Sequence, residues 1–187
     1  KGDEMKIYEL NLISFGKFKD KKIILNDGLN IIYGENEGGK TTIHKFIEGM
    51  FFGFFKPYSK RKIYTDDYER FFPWKYNEYC GVLKFEYKGE IYRIERNFVK
   101  GFDDVKIYDD KTGEDITDLF EYDPVLRLHC PNSRLLGLNS IVYNNTVSIK
   151  QLGSKTDEGL SKEVKDSLIN IGGSLDEGIS VKNAIEK

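Results

Sequence analysis

The feature that most constrains this 187-residue chain is the stretch Gly34-Glu35-Asn36-Glu37-Gly38-Gly39-Lys40-Thr41, which satisfies G-x-x-x-x-G-K-[ST] at every fixed position. Its surroundings carry as much weight as the motif. Residues 29–33, Leu29-Asn30-Ile31-Ile32-Tyr33, are apolar enough for a central strand. After the loop, Ile43, Phe46, Ile47, Met50, Phe51, Phe54 and Phe55 recur at the 3- and 4-residue spacing of an amphipathic helix, which Pro57 stops. Strand, glycine-rich loop and helix in that order make a phosphate-binding turn. Gly34 lets the chain leave the strand, while Gly38 and Gly39 permit a close backbone approach to an anion. Lys40 is placed for β- and γ-phosphate oxygens, the Thr41 hydroxyl for Mg2+ and Thr42 for the α-phosphate, at the positive end of a helix dipole.

The rest of the chain reads as one α/β domain with an antiparallel layer. Residues 5–13 and 18–25 form the first two strands, and residues 81–87, 89–98 and 104–108 form short antiparallel strands joined by turns at Lys88-Gly89 and around Gly101. Gly49 and Gly53 weaken the helix and imply either a close helix–sheet contact or an early end near Gly53. Residues 56–76 form an unusually long connection. Its Lys56, Lys60, Arg61 and Lys62 stand beside several acids, which favours an ordinary loop surface over a DNA patch. Phe71, Phe72 and Trp74 read as buried aromatics in preference to a base-stacking platform. Residues 138–143 read as helix, 147–151 as a short strand, and 158–171 as helix.

Composition sets limits. With 29 Lys and Arg against 31 Asp and Glu, the formal charge of -2 gives no support to a basic nucleic-acid module. Cys80 and Cys130 match no metal or redox spacing and, with no secretory leader, read as free thiols of a reducing cytoplasm. His44 and His129 fit no metal site. The apolar run at 43–55 is broken by polar residues, too much for a membrane span. Residues 1–4 precede Met5 and read as a tag or extension.

The chain lacks half of a hydrolytic site. No Asp ends an apolar strand to hold a Mg2+ shell: Tyr108-Asp109-Asp110, Glu121-Tyr122-Asp123 and Leu175-Asp176-Glu177 all lack the run. There is no Leu-Ser-Gly-Gly segment, and no guanine-reading segment for a self-contained kinase or GTPase. A nucleotide-binding regulatory or scaffold module without a DNA role stays open.

Phe15-Gly16-Lys17-Phe18, the 29–33 segment and the loop with Asn36 and Glu37 at its third and fourth positions together resemble the N-terminal head segment of the SMC, RecF and SbcC group of ABC-type ATPases, most of all the bacterial YhaN-like proteins. The helix ending Gly49-Met50-Phe51-Phe52-Gly53 sharpens that resemblance. It implies a P-loop fold of the ABC-head type over residues 5–173, a mixed sheet around the loop helix with an antiparallel layer. It implies ATP with Mg2+, bound by Gly34, Asn36, Glu37, Gly38, Gly39, Lys40, Thr41 and Thr42, with Lys17 or Lys19 beside the nucleotide. Ser148-Ile149-Lys150-Gln151 resembles the Q-loop, making Gln151 a Mg2+ ligand that senses the γ-phosphate. The missing half would lie in a C-terminal head segment beyond a coiled coil that begins at 174–187. Two heads would engage around ATP, serving DNA repair or chromosome work with DNA and a nuclease as partners.

Overall fold

The computed structural model describes residues 5–148, and the chain divides into two compact units at Gly137/Leu138. The first is built on a five-stranded antiparallel sheet in the order β2-β1-β3-β4-β5. Strand β1 (Met5–Phe15) turns through Gly16-Lys17 into β2 (Phe18–Ile24), whose exposed lysines suit an edge strand. Strands β3 (Cys80–Tyr87) and β4 (Glu90–Asn97) form a hairpin on Lys88-Gly89, both at positive φ as a tight primed turn requires, and β5 (Asp104–Asp109) completes the sheet.

Helix α1 (Lys40–Phe52) lies across this sheet, burying Phe46, Met50 and Phe51 against Leu10, Leu12, Leu83 and Phe85. A Cβ at Gly81 of β3 would stand 2.3 Å from the Phe46 ring, so the glycine is what lets the helix close on the strand. Of the two reasons expected for the helix glycines, the end at Gly53 is found, whereas the close contact at Gly49 is with a ring just past the helix and not with the sheet. A Cβ at Gly49 would meet the Phe54 ring at 2.7 Å, and Gly53, at φ +69, ends the helix with its N–H donated to the Gly49 carbonyl at 2.8 Å. Below that end the buried Arg96 guanidinium donates to the Met50 carbonyl at 3.1 Å. Burial pushes its pKa down to about 10.

The long connection is ordered by its own contacts. Phe55 bridges to Tyr64, Lys62 pairs with Asp103, and the Tyr64 hydroxyl donates to Asp103 at 2.8 Å. A short helix, α2 (Asp66–Arg70), follows. Lys62 is therefore a structural cation joining this segment to the β4–β5 connection. A 3-10 turn (Thr117–Leu119), the two-residue pair β6 (Tyr122–Asp123) and β7 (Leu128–His129), and α3 (Pro131–Leu135) close the unit. In the second unit α4 (Ser140–Thr146) is capped by Asn139, whose side chain accepts from the Val142 N–H at 2.9 Å.

Three expectations are corrected. Residues 29–33 form no strand among the described residues: no described strand pairs with them, and Leu29, Ile31 and Tyr33 are 88%, 82% and 93% exposed. Trp74 is 93% exposed, while Phe71 is buried and Phe72 half-buried as expected. Val147 and Ser148 form a turn and a bend after α4, in place of the start of a strand. Gln151, the helix expected at 158–171 and the helical pattern at 174–187 lie outside the described residues. No helix among the described residues is long and apolar enough to cross a membrane.

Candidate phosphate-binding site

The loop at 34–39 is wound by its own backbone. Gly38 donates to the Glu35 carbonyl at 3.0 Å, Glu37 sits at φ +65 and Gly39 at φ +98. From Gly39 the chain passes straight into α1, with Ile43 donating back to the Gly39 carbonyl at 3.0 Å. That junction is built for an anion. No side chain caps the N-terminus of α1 and no acidic residue lies in its first turn, so the N–H groups that any helix start leaves unpaired, and the positive dipole end, face the loop uncompensated.

Lys40 is folded back over this concavity. Its Nζ donates to the Gly34 carbonyl at 2.5 Å and to the Glu35 carbonyl at 2.8 Å, which holds the cation across the mouth of the loop. Thr41 is exposed at the helix start, and Thr42 is buried. The donor set fits a triphosphate with its Mg2+: a lysine cation, backbone N–H groups and a threonine hydroxyl, with Glu35 and Glu37 exposed on the loop.

The β1–β2 turn packs directly on the loop. A Cβ at Gly39 would lie 2.4 Å from the Phe18 ring and 2.9 Å from Lys17 Cε, and a Cβ at Gly16 would lie 2.8 Å from Thr42 Cγ2. Two glycines, one in each segment, therefore let the turn and the loop touch. Lys17 Nζ donates to the Glu37 carbonyl at 2.5 Å. Lys17 is thus brought to the loop. Lys19 is not: it pairs with Glu78 and lies over the Tyr76 ring at 5.0 Å.

Sequence reasoning missed two supports of this site. Lys45, buried on α1, accepts no water-facing role but joins Glu48 and Asp67, each at 2.7 Å, tying α1 to α2. Burial alone would lower its pKa; the hydrogen bonds to Asp67 and Glu48 outweigh that and hold it above the ordinary lysine value. The Gly16 N–H donates to the Phe71 carbonyl at 2.7 Å, so the turn over the loop is anchored to the segment just after α2. The i,i+3 pair with Glu48 is local, but the tie to α2 carried no local signal because Asp67 is 22 residues away in sequence. The His129 Nδ1–H donates to the Phe120 carbonyl at 2.9 Å, and no group of three or more potential metal ligands occurs among the described residues.

A family model described as an AAA domain matches residues 9–183. Over 94 residues, 49% of the chain, the sequence is 36% identical to the uncharacterized protein YhaN of Bacillus subtilis (strain 168). Over 106 residues, 56% of the chain, it is 29% identical to the DNA double-strand break repair Rad50 ATPase of Thermococcus kodakarensis. These matches cover 9% and 11% of the two proteins, so the chain spans about a tenth of the length of the curated relatives it matches.

Proposed function

The chain belongs to the AAA-domain family, with a family-level match to the SMC-, Rad50- and YhaN-like ABC ATPases, and from that premise we propose that it is the ATP-binding N-terminal half of an SMC-like ATPase head. The observation that carries the reading is Lys40 lying on the Gly34 and Glu35 carbonyls at the uncapped start of α1. A phosphate offers that cation a charged acceptor in place of two neutral carbonyls, a hydrogen bond roughly twice as strong. In this reading the backbone of Gly34, Asn36, Glu37, Gly38 and Gly39 surrounds the phosphates, and Lys40 neutralises the β- and γ-oxygens. Thr41 holds Mg2+, which supplies charge neutralisation between the terminal phosphates. Thr42 and Lys17 lie at the α-phosphate side, and Gln151 completes the metal shell.

The partner is a C-terminal head segment of the same parent protein. Leu29, Ile31 and Tyr33, exposed immediately before the loop, supply an apolar stretch of backbone for a strand of that segment to pair with and cover. Two such heads engage around ATP and separate on hydrolysis, and the motion serves DNA repair or chromosome-related work, with DNA and a nuclease as further partners. The test is self-association of the full-length parent protein by analytical ultracentrifugation with and without ATP. Association that requires ATP and is lost in Lys40→Ala supports the reading. ATP binding with unchanged association would replace it with a regulatory nucleotide-binding module.

A further inference from the structure

The loop at 34–39 is fastened by secondary structure on one side only. Downstream it runs into α1, but upstream residues 29–33 pair with no described strand, and a Cβ at Gly34 would meet nothing within 4 Å. Within the loop Glu37 holds φ +65, a left-handed conformation that is costly for a residue with a Cβ. A left-handed residue among neighbours of ordinary hand is what turns successive N–H groups toward one point, the arrangement that holds an anion. The anion-binding shape therefore contains its own tendency to relax. Something outside the loop must oppose it.

The β1–β2 turn supplies that opposition. Gly16 abuts Thr42, the Phe18 ring fills the space beside Gly39, and the Lys17 Nζ donates to the Glu37 carbonyl at 2.5 Å. The same peptide unit is tied at its other end, because the Gly38 N–H donates to the Glu35 carbonyl at 3.0 Å. With both of its polar groups engaged, the Glu37–Gly38 peptide cannot turn over without breaking two hydrogen bonds. Lys17 itself is rooted in the sheet and not in the loop. Its Nζ lies 5.6 Å from the centre of the Phe18 ring, and its turn follows the fully buried Phe15 and is bonded from the Gly16 N–H to the Phe71 carbonyl at 2.7 Å.

We propose that Lys17 is a positioning residue of the phosphate loop: by holding the Glu37 carbonyl on the β1–β2 turn it keeps Glu37 left-handed and the loop in its anion-binding shape before any nucleotide arrives. This rests on the phosphate-loop reading above, and it gives Lys17 a part that needs no contact with the nucleotide. Lys40 behaves differently, since it leaves the Gly34 and Glu35 carbonyls when a phosphate takes the cation. Lys17 stays on its carbonyl in both states. Without it a share of the loops leaves the binding shape, and the apparent affinity falls in proportion to the share that remains.

The test combines two measurements on Lys17→Met; the side chain is exposed, so its loss leaves the core untouched. The first, on the nucleotide-free chain labelled with 15N-glycine, follows exchange of the Gly38 N–H with water by NMR. The second is calorimetric titration with Mg2+–ATP. Lys17→Met should quicken the exchange and weaken ATP, each by about tenfold. Glu37→Gly, which adopts a positive φ freely, should restore most of the affinity lost in Lys17→Met. Glu37→Gln removes the same charge but keeps the Cβ, and should restore clearly less. Weakened ATP binding with unchanged Gly38 exchange, and equal recovery by the two Glu37 variants, overturns the positioning role in favour of a direct charge contact between Lys17 and the nucleotide. Unchanged ATP affinity in Lys17→Met overturns it outright. Failure of the wild-type chain to bind ATP overturns the phosphate-loop reading, and the positioning role falls with it.

Discussion

At the scale of single residues, the loop depends on where side chains are missing. Gly39 combines a left-handed backbone with a space already filled by Phe18 and Lys17. Gly39→Ala therefore meets two obstacles at once, and urea denaturation should show a loss of about 2–3 kcal/mol. Gly34 is the contrasting case, because a Cβ there meets nothing within 4 Å. Gly34→Ala should leave the urea midpoint nearly unchanged, and a large loss would contradict this account of the loop. The motif was legible because it is local: its glycines, Lys40 and Thr41 all lie within eight consecutive residues. Gly16 shows what stays hidden. Its requirement arises from Thr42, 26 positions away, and no local pattern announces such a contact.

At the scale of elements, α1 is held at its flank by Lys45. Lys45→Met would leave Glu48 and Asp67 facing each other with their shared cation gone, and an expected destabilisation of about 2–4 kcal/mol can be read from urea curves. The sign with pH follows from a lysine pKa raised in the fold. The contribution is fully present below the unfolded value of 10.5 and fades as pH rises through the raised folded value. The difference between wild type and Lys45→Met should thus persist at neutral pH and shrink in strong alkali. A difference equally large at both would remove charge from the explanation.

The antiparallel strands and α1 were readable because period-2 and period-3.6 patterns record one buried face each. Residues 29–33 misled that reading for a physical reason. An apolar run states that a segment needs covering, without stating that the cover lies within the same chain. The exposed Leu29, Ile31 and Tyr33 have no described strand to pair with. Trp74 fails in the same direction, since aromatic character next to buried Phe71 and Pro73 reads as core until exposure is known.

At the scale of the whole molecule, the proposed reading makes the phosphate loop half of a site. The described residues supply the glycine-rich loop, Lys40 and an uncapped helix start with no acidic residue in its first turn. The sequence offers no acidic residue on an apolar strand to position water, so the chain by itself should bind ATP and turn over essentially none. Calorimetric titration of Mg2+–ATP into the wild-type chain and into Lys40→Ala, with phosphate release followed in the same samples, tests this most directly. The account predicts binding by the wild type that weakens roughly ten- to hundredfold in Lys40→Ala, with no measurable release from either. Equal affinity in the two chains, or robust hydrolysis by the wild type that Lys40→Ala abolishes, would contradict it.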